Sequence, residues 1–179
     1  MISLANTPVL ETERLILRAP RAEDWPAWRD FHLSERARHI GGGTDMTARA
    51  SWRAFGHVIG HWVMRGYGMF VFTLKDDDSA LGMAGPWFPE GWAEQEIGWT
   101  VWSPAAEGKG YAAEAARAAI RHAFDDLGWE TAVSYIDPDN TRSLALAERL
   151  GARLDPDAPL PDMGGADAIH IYRHQKGAV

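Results

Sequence analysis

With 179 residues, the chain has room for one ordinary domain and is short for two. It has no cysteine, which excludes disulfides, thiolate metal sites and a cysteine nucleophile. Its net charge of −7, without a lysine/arginine tract, argues against nucleic acid as the main partner and is compatible with cationic ligands. No apolar run approaches the roughly 18 residues of a membrane span. The opening MISLANTPVLETERL lacks the basic and apolar regions of a signal peptide, so a cytoplasmic setting is the default expectation.

Strand-like and helix-like segments alternate along the chain. RLILRA (14–19) reads as a first strand. AEDWPAWRDFHLSERA (22–37) reads as a helix, with Asp24 as N-cap and Pro26 in its first turn. GGGTDM (41–46) breaks the pattern, and a second helix follows over 47–66, ending at Gly66. Three strand-like runs, 68–74, 79–88 and 94–102, are joined by short turn-rich links, which predicts an antiparallel meander. In the next helix Ala112, Ala116, Ala119, Ile120, Ala123, Phe124 and Leu127 form an apolar stripe that stops at Gly128. A strand at 131–137, a short helix at 140–151, a Pro/Gly-rich loop at 156–166 and a last strand at 168–174 complete a mixed α/β domain spanning 1–179.

The most informative stretch is Gly108-Lys109-Gly110, set immediately before the alanine-rich helix. Glycines let a ligand approach the main chain, and the first N–H groups of a helix lack internal partners, a combination suited to phosphate. A Walker A loop is excluded by spacing. The dinucleotide fingerprint G-x-G-x-x-G/A matches by letter over Gly108–Ala113, but it belongs after a buried parallel strand and a tight turn, and here an alternating strand and SPAAE precede it. A pyrophosphate loop of the acyl-CoA-binding kind is the third reading.

Three ordered segments, ETERLILRAPRAED, EIGWTVWSPAAEGKGYAAEA and DNTRSLALAERLGA, resemble the GNAT N-acetyltransferases over nearly the whole chain, in the branch of the ribosomal-protein N-terminal acetyltransferases (RimJ/RimL-like). The resemblance implies a largely antiparallel twisted sheet of about six to seven strands with about four helices, splayed in the middle to admit coenzyme A. It implies acetyl-CoA as co-substrate and an amine acceptor, either a protein N-terminus or a small molecule. The family's pyrophosphate loop, Q/R-x-x-G-x-G/A, falls on Glu107, Gly108, Lys109, Gly110, Tyr111 and Ala112; Gly110 and Ala112 match, and Glu107 departs from Gln or Arg. Asn140 and Ser143 match the residues that the family associates with the pantetheine arm and the reacting sulfur. Where many members carry a tyrosine acid, this chain has Ala147, and Ala152 replaces the usual Phe after the helix glycine.

Acetyl transfer from a thioester to an amine needs a base, donors for the developing oxyanion and a proton for the leaving thiolate. Glu96 and Glu94 are the base candidates, with Glu96 preferred, acting directly or through a water. Strand alternation groups them with Gly98 and Thr100, leaving Ile97, Trp99 and Val101 for the core. A plain solvated strand face is the competing reading. Backbone N–H groups of Thr100, Val101 and Trp102 are the expected oxyanion donors, and Ser143 the acid; an ordinary first-turn serine and an Asn140 N-cap are the structural alternatives.

Trp87, Phe88, Trp92 and Trp102 bracket the same strand and could face a bulky or cationic acceptor. Trp25, Trp28, Trp52 and Trp62 fall on the two N-terminal helices; the resemblance implies that these helices close the acceptor side, with 41–46 as a lip and 156–166 flanking the same opening. His57 and His61, four apart on a helix, have no third ligand in view, so no metal is expected. The expectation is a monomeric or homodimeric acetyl-CoA:amine N-acetyltransferase without a covalent enzyme intermediate. A GNAT-fold module that binds coenzyme A with little turnover is the alternative, resting on Glu107 and Ala147.

Overall fold

The computed structural model describes residue 4, residues 6–161 and residues 169–177. Eight strands form one sheet: β1 (Leu10–Glu11), β2 (Leu15–Arg18), β3 (Phe70–Leu74), β4 (Asp77–Trp87), β5 (Glu96–Val101), β6 (Thr131–Ile136), β7 (Arg153–Leu154) and β8 (His170–Gln175). Their spatial order is β1-β2-β3-β4-β5-β6-β8-β7. The expected meander is present, with β2, β3, β4 and β5 antiparallel in turn. The two-residue strands β1 and β7 are too short to leave a period in the sequence. Part of the 156–166 loop and the start of the expected last strand lie outside the described residues.

The four α-helices are α1 (Trp25–His32), α2 (Ala48–Arg65), α3 (Tyr111–Arg121) and α4 (Thr141–Arg149). They cover opposite faces of the sheet. Trp28, Phe31, Phe55 and Val58 from α1 and α2 pack on Met69, Val71, Met83 and Trp102. On the other face, Ala113, Ala116 and Ile120 of α3 pack on Ile97 and Ala132, while Ala115 and Ala118 pack toward Leu15, Leu17 and Phe72. The alanines therefore bury a wider arc than the single stripe predicted. Small side chains let the helix backbone settle close to the sheet. The helix ends in one π-helical turn, His122–Asp126.

The expected helix at 22–37 is broken into a 3₁₀ turn, α1 and a second 3₁₀ turn over Glu35–Ile40. Asp24 sits at the α1 boundary without capping it: its buried carboxylate takes two hydrogen bonds from the Arg18 guanidinium, each 2.9 Å. A buried guanidinium needs such a counter-charge, and that need overrides local capping. Pro86 is tolerated in β4 because it opposes Ile97 at a non-hydrogen-bonded position, with its nitrogen turned toward the side where β3 pairing has already ended. Among the described residues no helix is long and apolar enough to cross a membrane.

Glu114, in the first turn of α3, does more than complement the helix dipole. It accepts hydrogen bonds from Thr12 Oγ1 (2.6 Å), the Arg14 N–H (2.8 Å) and Arg14 Nε (2.7 Å). Arg14 also donates to the Lys109 carbonyl (3.0 Å) and lies over the Tyr111 ring. One carboxylate thus ties the β1–β2 turn to the glycine loop. Glu114→Ala should cost about 2 kcal/mol, a fall in Tm of roughly 4–8 °C by thermal unfolding, because it strands donors at a partly buried site. An unchanged Tm would show that this clamp carries no stability.

Candidate active site

The site begins where the sheet fails to close. β5 and β6 run parallel and share a single register pair, Glu96 with Val133. Val133 N–H donates to the Gln95 carbonyl (2.8 Å), and the Ser134 hydroxyl donates to the Ile97 carbonyl (2.6 Å). Beyond that point the strands part. On its other edge β5 stays fully paired with β4 through to the Trp102 N–H, which donates to Leu81 O (2.8 Å). Antiparallel alternation then turns the backbone groups of Trp99 and Val101 into the gap and those of Thr100 and Trp102 toward β4. Of the three backbone positions expected to face the opening, only Val101 does so with its N–H; Trp99, assigned to the core from sequence, is the second. The Thr100 hydroxyl accepts from Trp102 Nε1 (2.9 Å), and the Trp102 ring is buried against Trp28.

The glycine loop closes one end of the gap. Gly108 and Gly110 both have left-handed φ, +73° and +79°, which side chains disfavour. A Cβ on Gly108 would meet nothing within 4 Å, so its approach is open. α2 and α4 are capped by the side chains of Thr47 and Asn140, whereas α3 starts at Gly110 with no side-chain cap. Its first intrahelical bond is Glu114 N–H to Gly110 O, leaving the N–H groups of Tyr111, Ala112 and Ala113 without helical partners. Lys109 stands at the loop's exposed tip. An extended ligand with a phosphate end fits this set: backbone donors at one end and an unzipped strand edge along its length.

Glu107 points away from these donors. Its Oε1 is 2.6 Å from Arg36 Nη2, and its Oε2 accepts from Arg142 Nη1 at 2.7 Å. Burial opposes the charge, but the hydrogen bonds from Arg36 and Arg142 outweigh it and hold the carboxyl below its ordinary range. Arg36 also donates to the Trp102 and Val101 carbonyls at 2.7 and 2.8 Å. Neither arginine was legible as a site residue, because they lie far from the loop in sequence.

At the other end of the gap stand the two candidate bases, in different states. Glu94 precedes β5 and is bound by Arg173 of β8 through two 2.8 Å hydrogen bonds; Arg173 also holds Asp155 at 2.5 Å. Glu94 is therefore engaged as half of an ion pair. Glu96 has no cationic partner among the described residues. Its Oε2 accepts from Trp92 Nε1 at 2.6 Å, while Oε1 lies beside Gly98 and would be in ordinary contact, 3.7 Å, with a Cβ there. Burial pushes its pKa up to about 7, against the Trp92 hydrogen bond and a backbone contact from Tyr135. Tyr135 accepts from the Glu94 N–H (3.2 Å), and burial together with the carboxylates of Glu94 and Glu96 raises its phenol to about 12. Trp92 and Tyr135 were missed as partners of the base, although a tryptophan four residues before Glu96 was visible.

Ser143 reaches the opposite wall of the gap, where its Oγ accepts from Trp99 Nε1 at 3.3 Å. That leaves its own hydrogen free to donate. Asn140 Oδ1 accepts from the Ser143 N–H (3.2 Å) and acts as the N-cap. Ala147 is fully buried beside Ile136, Ala152 and Tyr172. His61 stacks on Trp87, with Nδ1 on Tyr67 O and Nε2 accepting from Phe88 N–H, which commits both ring nitrogens to the backbone.

Residues 14–153 match the acetyltransferase (GNAT) domain family. The chain is a GNAT acetyltransferase. Over 151 residues this GNAT chain is 26% identical to the uncharacterized N-acetyltransferase YnaD of Bacillus subtilis (strain 168), covering 80% of this chain and 82% of the relative. It is similar to the crystal structure of an acetyltransferase from Agrobacterium tumefaciens str. C58, with 37% identity, a TM-score of 0.85 and coverage of 98% and 99% of the two chains. It shares its fold with RimL, the ribosomal L7/L12 alpha-N-protein acetyltransferase solved with coenzyme A, at 18% identity, a TM-score of 0.72 and coverage of 94% and 98%.

The Glu96 pKa carries a stability consequence. Raised from 4.5 to about 7, the folded carboxyl binds its proton more tightly than the unfolded one. Its penalty is absent below the unfolded pKa, grows as pH rises through the window between the two and is complete above the folded value. Glu96→Gln should therefore raise stability at pH 8 by up to about 3 kcal/mol and leave it little changed near pH 4. A gain in Tm that does not vary with pH would refute the raised pKa.

Proposed function

We propose that this GNAT acetyltransferase transfers an acetyl group from acetyl-CoA directly to a primary amine, with Glu96 as the base. The observation that carries this reading is a partly buried carboxylate with no cationic partner among the described residues, on the residue where β5 and β6 are last paired before they part, beside a second carboxylate already neutralised by Arg173. When bound, acetyl-CoA supplies the activated thioester. Gly108, Gly110 and the open N–H groups of α3 would hold its pyrophosphate, and the β5 edge at Trp99 and Val101 its pantetheine arm. The N–H groups of Trp99 and Val101 are the donors available to the carbonyl oxygen as negative charge grows on it. Glu96 accepts the amine proton directly or through one water, and the Ser143 hydroxyl, oriented by Trp99, donates to the departing sulfur. The nitrogen–carbon bond forms as the carbon–sulfur bond breaks, giving the amide and free coenzyme A thiol.

The acceptor proposed is an α-amine, such as a protein N-terminus, ahead of a lysine-type or small-molecule amine. An α-amine has a pKa of about 8 against about 10 for a lysine-type amine, and the former is closer to a base near 7. The similarity in fold to RimL is consistent with this. The binding-module alternative loses its main support, because Glu107 faces two arginines and not the phosphate donors.

Calorimetric titration is expected to give micromolar binding of acetyl-CoA and none of NADH. Free-thiol release should then appear with amine acceptors and rise through about pH 7 as Glu96 loses its proton. Glu96→Gln should lower turnover by about 10²–10⁴-fold while leaving acetyl-CoA affinity in place. Full turnover in that variant would remove Glu96 as the base.

A further inference from the structure

Three charged side chains from three separate elements meet beside the glycine loop: Arg36 from the 3₁₀ turn Glu35–Ile40, Glu107 from the loop itself and Arg142 from the first turn of α4. Two positive charges and one negative leave one positive charge in excess.

The two arginines are not equivalent. Arg36 commits four of its five N–H groups: Nε and Nη2 go to Glu107, Nη1 to Trp102 O and Nη2 also to Val101 O. It could grip a phosphate with two donors only by releasing Glu107 or the end of β5. Arg142 spends one N–H on Glu107, and its side chain is 83% exposed. A guanidinium has five donors in a planar fork that matches phosphate. Arg142 therefore keeps most of its fork for a ligand, and Glu107 removes part of the rotamer freedom that binding would otherwise cost.

We infer that Glu107 is a positioning residue that presents Arg142 to the 3′-phosphate of coenzyme A, with Arg36 anchoring Glu107 to the sheet. This rests on the acetyl-CoA reading, in which the loop N–H groups take the pyrophosphate. The remaining phosphate of that coenzyme, on its ribose, then needs a cation from outside the loop backbone. A carboxylate in this loop thereby supplies positive charge indirectly, by holding an arginine that is not encoded within it.

The test is a calorimetric comparison of coenzyme A with 3′-dephospho-coenzyme A on four proteins: wild type, Arg142→Gln, Arg142→Lys and Glu107→Gln. The wild type should prefer coenzyme A by about tenfold or more, the worth of a charge-assisted contact. Arg142→Gln should bring that preference close to one with little change in dephospho-coenzyme A affinity. Arg142→Lys should keep part of the preference, and Glu107→Gln should lose part of it while thermal unfolding shows an intact fold. Equal weakening of both ligands in Arg142→Gln, an unchanged ratio, or a ratio that responds to Lys109→Ala instead would each overturn the inference. Failure of the wild type to bind either form would sink the acetyl-CoA reading first, and the inference with it.

Discussion

Everything at this site depends on one interrupted hydrogen-bond ladder. β5 is fully paired along one edge and paired on the other only as far as Ile97. A strand in mid-sheet is ordinarily satisfied on both sides, because unpaired backbone groups away from water are costly. Here the partner strand is held at a single register pair, with the Ser134 hydroxyl closing the last carbonyl. Ser134 is itself fixed from behind by His174, 2.9 Å away, a buried imidazole whose pKa burial lowers to about 4, so it stays neutral and donates through Nε2. The opening is a defined internal edge where an extended ligand can complete the pairing that β6 does not.

Charge is distributed along that edge with a clear division. Near the glycine loop, Glu107 is answered by Arg36 and Arg142. Near the start of β5, Glu94 and Asp155 are answered by Arg173, whose own charge they stabilise above the ordinary arginine range. Between these two ion-pair groups Glu96 is left with an indole and a backbone contact. Pairing its neighbours keeps the acidic composition of the chain from crowding further negative charge onto that one carboxyl.

The sequence made some of this legible and hid the rest for physical reasons. The alternation over 96–101 separated Glu96 and Gly98 from Ile97, and the glycines marked the left-handed turn that opens α3, because both are local signals with short periods. Glu94 and Glu96 looked equivalent, since periodicity cannot show that one of them meets Arg173 from a strand 79 residues away. Asp24 looked like a cap and is an ion-pair partner. Thr100 and Trp102 looked like donors into the gap; knowing which edge of β5 stays zipped reverses that. Glu94 has its partner far away in sequence, which one chain read alone does not display; Asp24 has its partner Arg18 only six residues away, but the burial that makes the guanidinium need a counter-charge is not a local signal.

The Arg36–Glu107–Arg142 group also limits how this chain can drift. The coupling runs through Glu107: an arginine or glutamine at 107 would leave Arg36 and Arg142 facing each other without a counter-ion. Losing either arginine still leaves Glu107 paired with the other, whereas losing Glu107 strands both, so the constraint falls hardest on the loop position, whose partners lie 71 and 35 residues away. The three positions act as one charge group, although the sequence spreads them over three elements.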